Sequence, residues 1–333
     1  IIEDKTEVFF IYKSCKAQIL VGDIIYTTDE KELILKLFES TNDKKTFEGK
    51  SAYKFAFENK SELKNLKFIC DLAGYILNSM ASEYTIENLC KTYKVSYRND
   101  MGEYSDIASL PALCERLKAE VDLTEMSDLL YNIEQPLCEV LASMEVDGVK
   151  VDIDGVKEFG SSLSADIKRL ENEIYKLVGH EFNIGSPKQL GVVLFEELGL
   201  PSKKKTKTGY STNVDVLESL MEKHPIIPLI FEYRTLTKLN STYVEGLLKV
   251  VREDGRVHSV FKQTETRTGR ISSTEPNVQN IPVRKEIGRN MRKFFVAEKG
   301  YTLLDADYSQ IELRVLSHVC GDKNMQKAFL ENK

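Results

Sequence analysis

The chain has 333 residues, 42% of them apolar and 29% charged, enough for about two domains with real cores at the usual ~100–200 residues per domain. No run approaches the ~18–20 consecutive apolar residues of a membrane helix, no signal-peptide pattern opens the chain, and six cysteines without a C-x-x-C pair argue against a zinc site or a disulfide scaffold and suit a reducing cytoplasm. The formal charge of −6 disfavours nucleic acid only until it is divided: residues 1–130 hold 17 Lys+Arg against 23 Asp+Glu, residues 131–333 hold 29 of each, and residues 252–293 carry ten cations, seven of them Arg, against five acids.

In chain order, the first 125 residues predict a small α/β unit. Residues 7–12 and 18–27 are β-rich runs able to pair as strands. Residues 29–40 place Leu33, Ile34, Leu37 and Phe38 at helical spacing behind Asp29 as a cap. Short helices are expected over 71–77 and 86–93, and the polar, turn-rich stretch 96–111 reads as a surface loop. A long helix is expected over 123–146, ending at Asp147-Gly148, followed by a short extended piece over 149–151. Asp152 then caps a helix with a stripe of Leu163, Ile167, Leu170, Ile174 and Leu177, and Gly179 lies just past its end. Ser186-Pro187 starts another helix, with Leu190, Val193 and Leu194 as its apolar face. Residues 203–209 form a small cationic loop, read either as a solvated tip or as a grip on a phosphate backbone. Residues 228–251 complete a helical part, and the Asp254-Gly255 turn leads into an expected strand over 257–261.

Two stretches carry chemistry. In the first, Leu303 and Leu304 run into Asp305 and Asp307, a spacing that on a strand places both carboxylates on one face. Ile311, Val315 and Leu316 then repeat as a helix does. A carboxylate at the end of a buried strand beside a helix start suits a hard divalent cation, although taken alone the pattern is better explained by a capping aspartate at a strand-to-helix turn. In the second, residues 263–284 combine arginines with small hydroxyls, amides and turn residues, and leave few apolar positions to bury. Arg, Ser and Thr reach phosphates, and Gln and Asn donate to minor-groove acceptors, so this composition points to nucleic acid.

Residues 307–314, Asp-Tyr-Ser-Gln-Ile-Glu-Leu-Arg, resemble the first catalytic motif of family A DNA polymerases. Residues 268–273 through 276–282 resemble that family's template-primer binding segment, and 183–191, 203–212 and 238–251 resemble its thumb. The resemblance implies an α/β, RNase H-like exonuclease domain over 1–124, a connecting helix and mostly helical thumb over 125–252, and the first part of an α+β palm over 253–333. It implies transfer of dNMP from dNTP to a primer 3′-hydroxyl by a two-metal mechanism with two Mg²⁺ ions. Asp307 then resembles one of two metal-binding palm aspartates, with the Tyr308 carbonyl as a backbone ligand. Ser309, Gln310 and Ile311 line the nucleotide pocket, and Glu312 crowds a ribose 2′-hydroxyl. Arg270, Gln279 and Asn280 face the minor groove near the primer end, and Lys238, Ser241, Thr242, Lys205 and Lys207 face the duplex from the thumb. The partners implied are primer-template DNA and dNTPs, with no membrane, for a monomer in the bacterial cytoplasm, associated with the nucleoid.

The departures from the family pattern carry expectations of their own. Residues 8–22 hold no acid where proofreading relatives have an Asp-x-Glu pair, and no Tyr-x-x-x-Asp appears over 90–125. Asp71 resembles a surviving exonuclease aspartate, and a single carboxylate does not hold two metals, so the first domain is expected to be silent and Asp71 structural. No fingers segment and no His-Asp-Glu turn precede Lys333, so the chain is expected to be a fragment, inactive alone but able to bind primer-template. The resemblance assigns no role to Asp305. The alternatives are a 3′–5′ exonuclease and a non-catalytic DNA-binding module.

Overall fold

The computed structural model describes residues 6–201, 205–206, 209–281 and 291–331, with the backbone alone at 205, 206 and 280. These fall into two compact units, Ile1–Phe295 and Val296–Lys333.

The first unit opens with a five-stranded mixed sheet in the order β3-β2-β1-β4-β5. β1 (Val8–Lys13), β2 (Lys16–Val21) and β3 (Ile24–Thr28) are antiparallel, whereas β4 (Lys44–Thr46) and β5 (Leu66–Ile69) join in parallel. The run expected as one strand over 18–27 is two, because Gly22 turns the chain at φ +57. Helix α1 (Lys31–Glu39) begins two residues after Asp29, which does not cap it; Glu30 stands at the cap position, and the Thr28 hydroxyl accepts the Glu30 N–H instead. α2 (Lys50–Glu58), α3 (Cys70–Leu77), α4 (Ile86–Thr92) and α5 (Ser105–Leu123) complete this part. Of the expected loop over 96–111, Asn99–Tyr104 forms 3₁₀-helical turns and Ser105 already starts α5, leaving only 96–98 irregular. Ile107, Leu110, Leu113 and Leu117 of α5 join Phe10, Ile34 and Phe38 in one core.

The long connecting helix starts at Ser127 rather than at 123, because α5 runs to Leu123 and Glu125 at φ +57 breaks the path. It comprises α6 (Ser127–Leu129), a π-helical turn (Leu130–Glu134) and α7 (Gln135–Asp147). Gly148 ends it at φ +58, where a Cβ would stand 2.7 Å from the Val257 carbonyl oxygen, so both conformation and space require glycine. β6 (Val149–Lys150) leads to α8 (Ile153–Val178), capped by Asp152 at its start and by left-handed Gly179 at its end, as the sequence indicates. Its N-terminal half, with Val156 and Leu163, packs with Leu239, Val244 and Leu247; its C-terminal half, with Leu170 and Ile174, packs with Leu190, Leu194 and Ile230. One helix thus ties two cores together. Leu177, expected in the stripe, is 40% exposed at the fraying last turn.

α9 (Pro187–Val192), capped by Ser186, is followed by the short pair β7 (Lys205–Thr206) and β8 (Gly209–Tyr210), and by α10 (Val214–Glu218). α11 (Ile226–Leu239), a π-helical turn (Asn240–Glu245) and α12 (Gly246–Val250) form the helical stretch expected over 228–251. The single strand expected over 257–261 is two: β9 (Arg256–Val257) pairs with β6, and β10 (Val260–Lys262) pairs with β11 (Ser272–Thr274). His258 and Ser259 separate them, and the His258 Nδ1 lies 2.9 Å from the Glu145 carbonyl.

The second unit holds two helices, α13 (Ile311–Cys320) and α14 (Lys323–Leu330). Asp322 caps α14 by accepting the Met325 N–H at 2.8 Å. Among the described residues no helix is long and apolar enough to cross a membrane.

Candidate functional site

The arginine-rich stretch is the connection of a hairpin. β10 and β11 pair with Val260 opposite Thr274, Phe261 opposite Ser273 and Lys262 opposite Ser272, so residues 263–271 project from the sheet. Arg267 and Arg270 are both exposed there. Gly269, at φ +78, makes the bend, and the Thr266 hydroxyl donates to the Arg270 carbonyl at 2.6 Å, closing the loop on itself. Below the hairpin, the Ser273 hydroxyl and the Gln279 N–H both donate to Asn277 Oδ1 at 3.1 Å. The Gln279 side-chain amide, expected toward the minor groove, donates to the Ile271 carbonyl at 3.0 Å and so braces the same hairpin. The Asn280 side chain lies outside the described residues.

Of the helical residues expected at the duplex, Lys238 occupies the last turn of α11, and Ser241 and Thr242 the π-helical turn that follows. All three are exposed. Lys238 and Ser241 share an open cleft of about 630 Å³ with Gly185, Tyr210 and Arg234. Thr242 faces away from it, into an apolar cavity of about 290 Å³ also lined by Pro276, Asn277 and Ile281. The fold therefore brings the helical turn against the segment that ends the hairpin, two stretches that the sequence only places in order. The Lys205 side chain and the whole of Lys207 lie outside the described residues.

The strand expected to carry Asp305 and Asp307 is absent. Residues 301–308 have no regular secondary structure and pair with no strand among the described residues of their unit, whose elements are two helices; a strand needs a hydrogen-bonded neighbour. Nor is the approach buried, with Leu304 92% and Tyr308 78% exposed. The helix expected beyond it is present: α13 starts at Ile311 behind Gln310 at φ +50, placing Glu312 in its first turn. Arg314 fixes the junction, its Nε donating to the Ser309 carbonyl at 2.8 Å while its guanidinium lies 5.0 Å from the centre of the Phe329 ring. Asp307 and the Tyr308 carbonyl are oxygen donors of the kind a hard cation takes. Their number falls short, because no three His, Cys, Asp or Glu side chains converge as a metal site among the described residues. These residues by themselves do not make a two-metal centre.

Asp71 stands in the first turn of α3, its Oδ1 accepting the Leu72 N–H at 2.8 Å. Glu48, which the sequence reading passed over, lines the same cavity of about 460 Å³, with Lys50, Tyr84 and Lys262. Burial of the Asp71 carboxyl, and next the Glu48 carboxylate, push its pKa well above the ordinary carboxylate range. A carboxyl whose pKa is raised by folding destabilises the fold as pH rises above the unfolded value. Asp71→Asn is therefore expected to raise stability by about 1 kcal/mol at pH 8, a gain that shrinks as pH falls and is lost below the unfolded pKa of about 3.9, where both states are protonated. Thermal unfolding at the two pH values checks this, and a loss of stability at pH 8 contradicts it.

The polar contacts between the N-terminal sheet part and the rest were not legible in the sequence. Glu145 of α7, 1% exposed in its side chain, takes Lys50 at 2.8 Å and Lys54 at 2.6 Å, both from α2, and accepts the Phe261 N–H at 2.8 Å. Gln263 donates to the Glu134 carboxylate at 2.6 Å and to its carbonyl at 2.8 Å. Tyr75 and Ser79 donate to the Thr266 and Arg267 carbonyls at 2.7 and 3.1 Å.

Comparison with known proteins follows the same lines. Residues 153–333 match the profile of DNA polymerase family A. The chain is 43% identical over 323 residues to DNA polymerase I of Bacillus subtilis (strain 168), covering 90% of this chain, and 52% identical over 215 residues to DNA polymerase I of Lactococcus lactis subsp. lactis (strain IL1403), covering 65% of it. It spans about 37% and 24% of the length of those two relatives. Among solved structures it is similar to the POL domain of Pol1 from M. smegmatis in complex with DNA primer-template and dNTP, at a TM-score of 0.79 and 33% identity, over 98% of this chain and 61% of that one.

Proposed function

Because the chain belongs to DNA polymerase family A, we propose that it serves template-directed DNA synthesis, the transfer of a dNMP from a dNTP to a primer 3′-hydroxyl, and that residues 1–333 contribute the grip on primer-template duplex. The observation that carries this reading is the hairpin loop over 263–271. Two exposed arginines stand on a backbone whose carbonyls at 266, 267 and 270 are each held by a hydroxyl. Cations on a fixed surface suit phosphates and minor-groove acceptors, which do not vary with sequence.

In this reading residues 1–124 form an exonuclease-like domain without its metal ligands, in keeping with the mixed sheet and the acid-free strands β1 and β2. Residues 125–252 form the connecting helix and thumb, and 253–333 the first part of the palm. Arg270 and Asn280 meet the minor groove, from a hairpin that the Gln279 amide braces; Lys238, Ser241, Lys205 and Lys207 meet the backbone. Ser309, Gln310 and Ile311 receive the nucleotide, and Glu312 excludes a ribose 2′-hydroxyl. Mg²⁺ is the cofactor that Asp307 and the Tyr308 carbonyl suit, and their contribution to it is a partial donor set. Residues 1–333 alone are thus assigned binding and no catalytic step.

The test is a gel-shift titration of primer-template duplex with the 333-residue chain. A shift at micromolar protein is expected, weakening at least ~10-fold between about 50 and 200 mM salt. No shift at micromolar protein overturns the binding assignment.

A further inference from the structure

Phe261, Gln263, Thr266 and Arg267 are each fastened from outside the hairpin. Lys50 donates to the Phe261 carbonyl and Glu145 accepts its N–H; Glu134 holds Gln263. Two further donors come from the end of α3, on the N-terminal sheet part. Tyr75 is 3% exposed, its ring edge-on to Tyr84 at 5.9 Å, and its hydroxyl reaches the Thr266 carbonyl. A phenylalanine would fill the same core space, so the hydroxyl's contribution is that one hydrogen bond. Ser79 follows α3, in a turn where the Tyr84 hydroxyl donates to the Asn78 carbonyl at 2.7 Å, and donates to the Arg267 carbonyl. Thr266, with its own carbonyl held by Tyr75, passes the constraint to Arg270 through its hydroxyl.

We propose that Tyr75 and Ser79 are positioning residues for DNA binding: the N-terminal sheet domain is the mount that sets the backbone from which Arg267 and Arg270 meet the duplex. This rests on the reading of that loop as a DNA contact. The physical gain is preorganisation, since a loop whose backbone is ordered beforehand loses less conformational entropy when the duplex arrives. It also gives a domain without its catalytic acids a continuing task.

The test compares the full 333-residue chain with the Tyr75→Phe/Ser79→Ala variant in duplex binding at low salt, in two backgrounds. With both arginines present, the variant is expected to bind ~10-fold more weakly, the combined effect of two lost hydrogen bonds. In an Arg267→Ala/Arg270→Ala background the same pair of substitutions is expected to change affinity by less than about twofold, because they act through those side chains. Equal affinity of variant and parent overturns the proposal, as does an equal loss in both backgrounds, which would mark a general structural defect. Tryptic cleavage after Arg267 and Arg270 provides a readout without DNA, expected to quicken ~10-fold in the variant as the loop opens more often. A parent chain that binds no duplex defeats the DNA reading, and unchanged cleavage then defeats the mount as well.

Discussion

Asp307→Ala in a polymerase carrying this sequence is expected to lower the rate of primer extension by on the order of 10³-fold or more, while duplex affinity stays within about twofold. The split follows from where the residue stands. Asp307 precedes α13 on an exposed stretch without regular secondary structure, in a different compact unit from the hairpin that bears Arg267 and Arg270. In the proposed role a carboxylate there would support charge in the reacting centre, and it contributes nothing attractive to a phosphate backbone. Single-turnover extension and duplex titration on one preparation separate the two. Extension within tenfold of the parent contradicts the role given to Asp307.

Glu145→Ala is expected to cost about 3 kcal/mol of stability. The carboxylate is enclosed, with its two lysine partners 19% and 30% exposed, and removing it takes the carboxylate partner from both ammonium groups and the acceptor from the Phe261 N–H, leaving Lys50 only the Phe261 carbonyl. Burial by itself would raise the Glu145 pKa; hydrogen bonds from Lys50, Lys54 and the Phe261 N–H outweigh it and hold the pKa below the ordinary range. The sign follows directly. A carboxyl depressed by folding stabilises above the unfolded pKa, and that share disappears as pH falls through the folded value. Urea unfolding is thus expected to show a large gap between parent and Glu145→Ala at pH 7 that narrows below about pH 4. A gap under about 1 kcal/mol at pH 7 would place Glu145 among ordinary surface ion pairs.

How much of this was legible in the sequence depends on the range of the forces involved. α8 was read correctly because its signals are local: an Asp152 cap, a stripe at helical spacing and Gly179 at its end. β4 was not read, because its burial contradicts residue type. Lys44 is fully buried, its ammonium donating to the Ser40, Asn42 and Lys64 carbonyls, and burial pulls its pKa down to about 8. A lysine in such a place looks like surface in any window of sequence.

The site was legible in part for the same reason. Arg267 and Arg270 stood out by composition, and the hairpin bears them. The Asp305–Asp307 strand was inferred from period alone, and a strand is completed only by a partner the local sequence does not supply. Tyr75 and Thr266 lie 191 residues apart, and no pattern in either neighbourhood announces the bond between them. Helix caps and stripes are written locally; mounts between domains are not.

The central claim, that the 263–271 hairpin is a grip on duplex DNA, is tested most directly by fluorescence anisotropy. A labelled primer-template is titrated with the parent chain and with Arg267→Ala/Arg270→Ala at several salt concentrations. The parent is expected to bind at least ~10-fold more tightly, with a steeper salt slope. Equal affinities and equal slopes would contradict it.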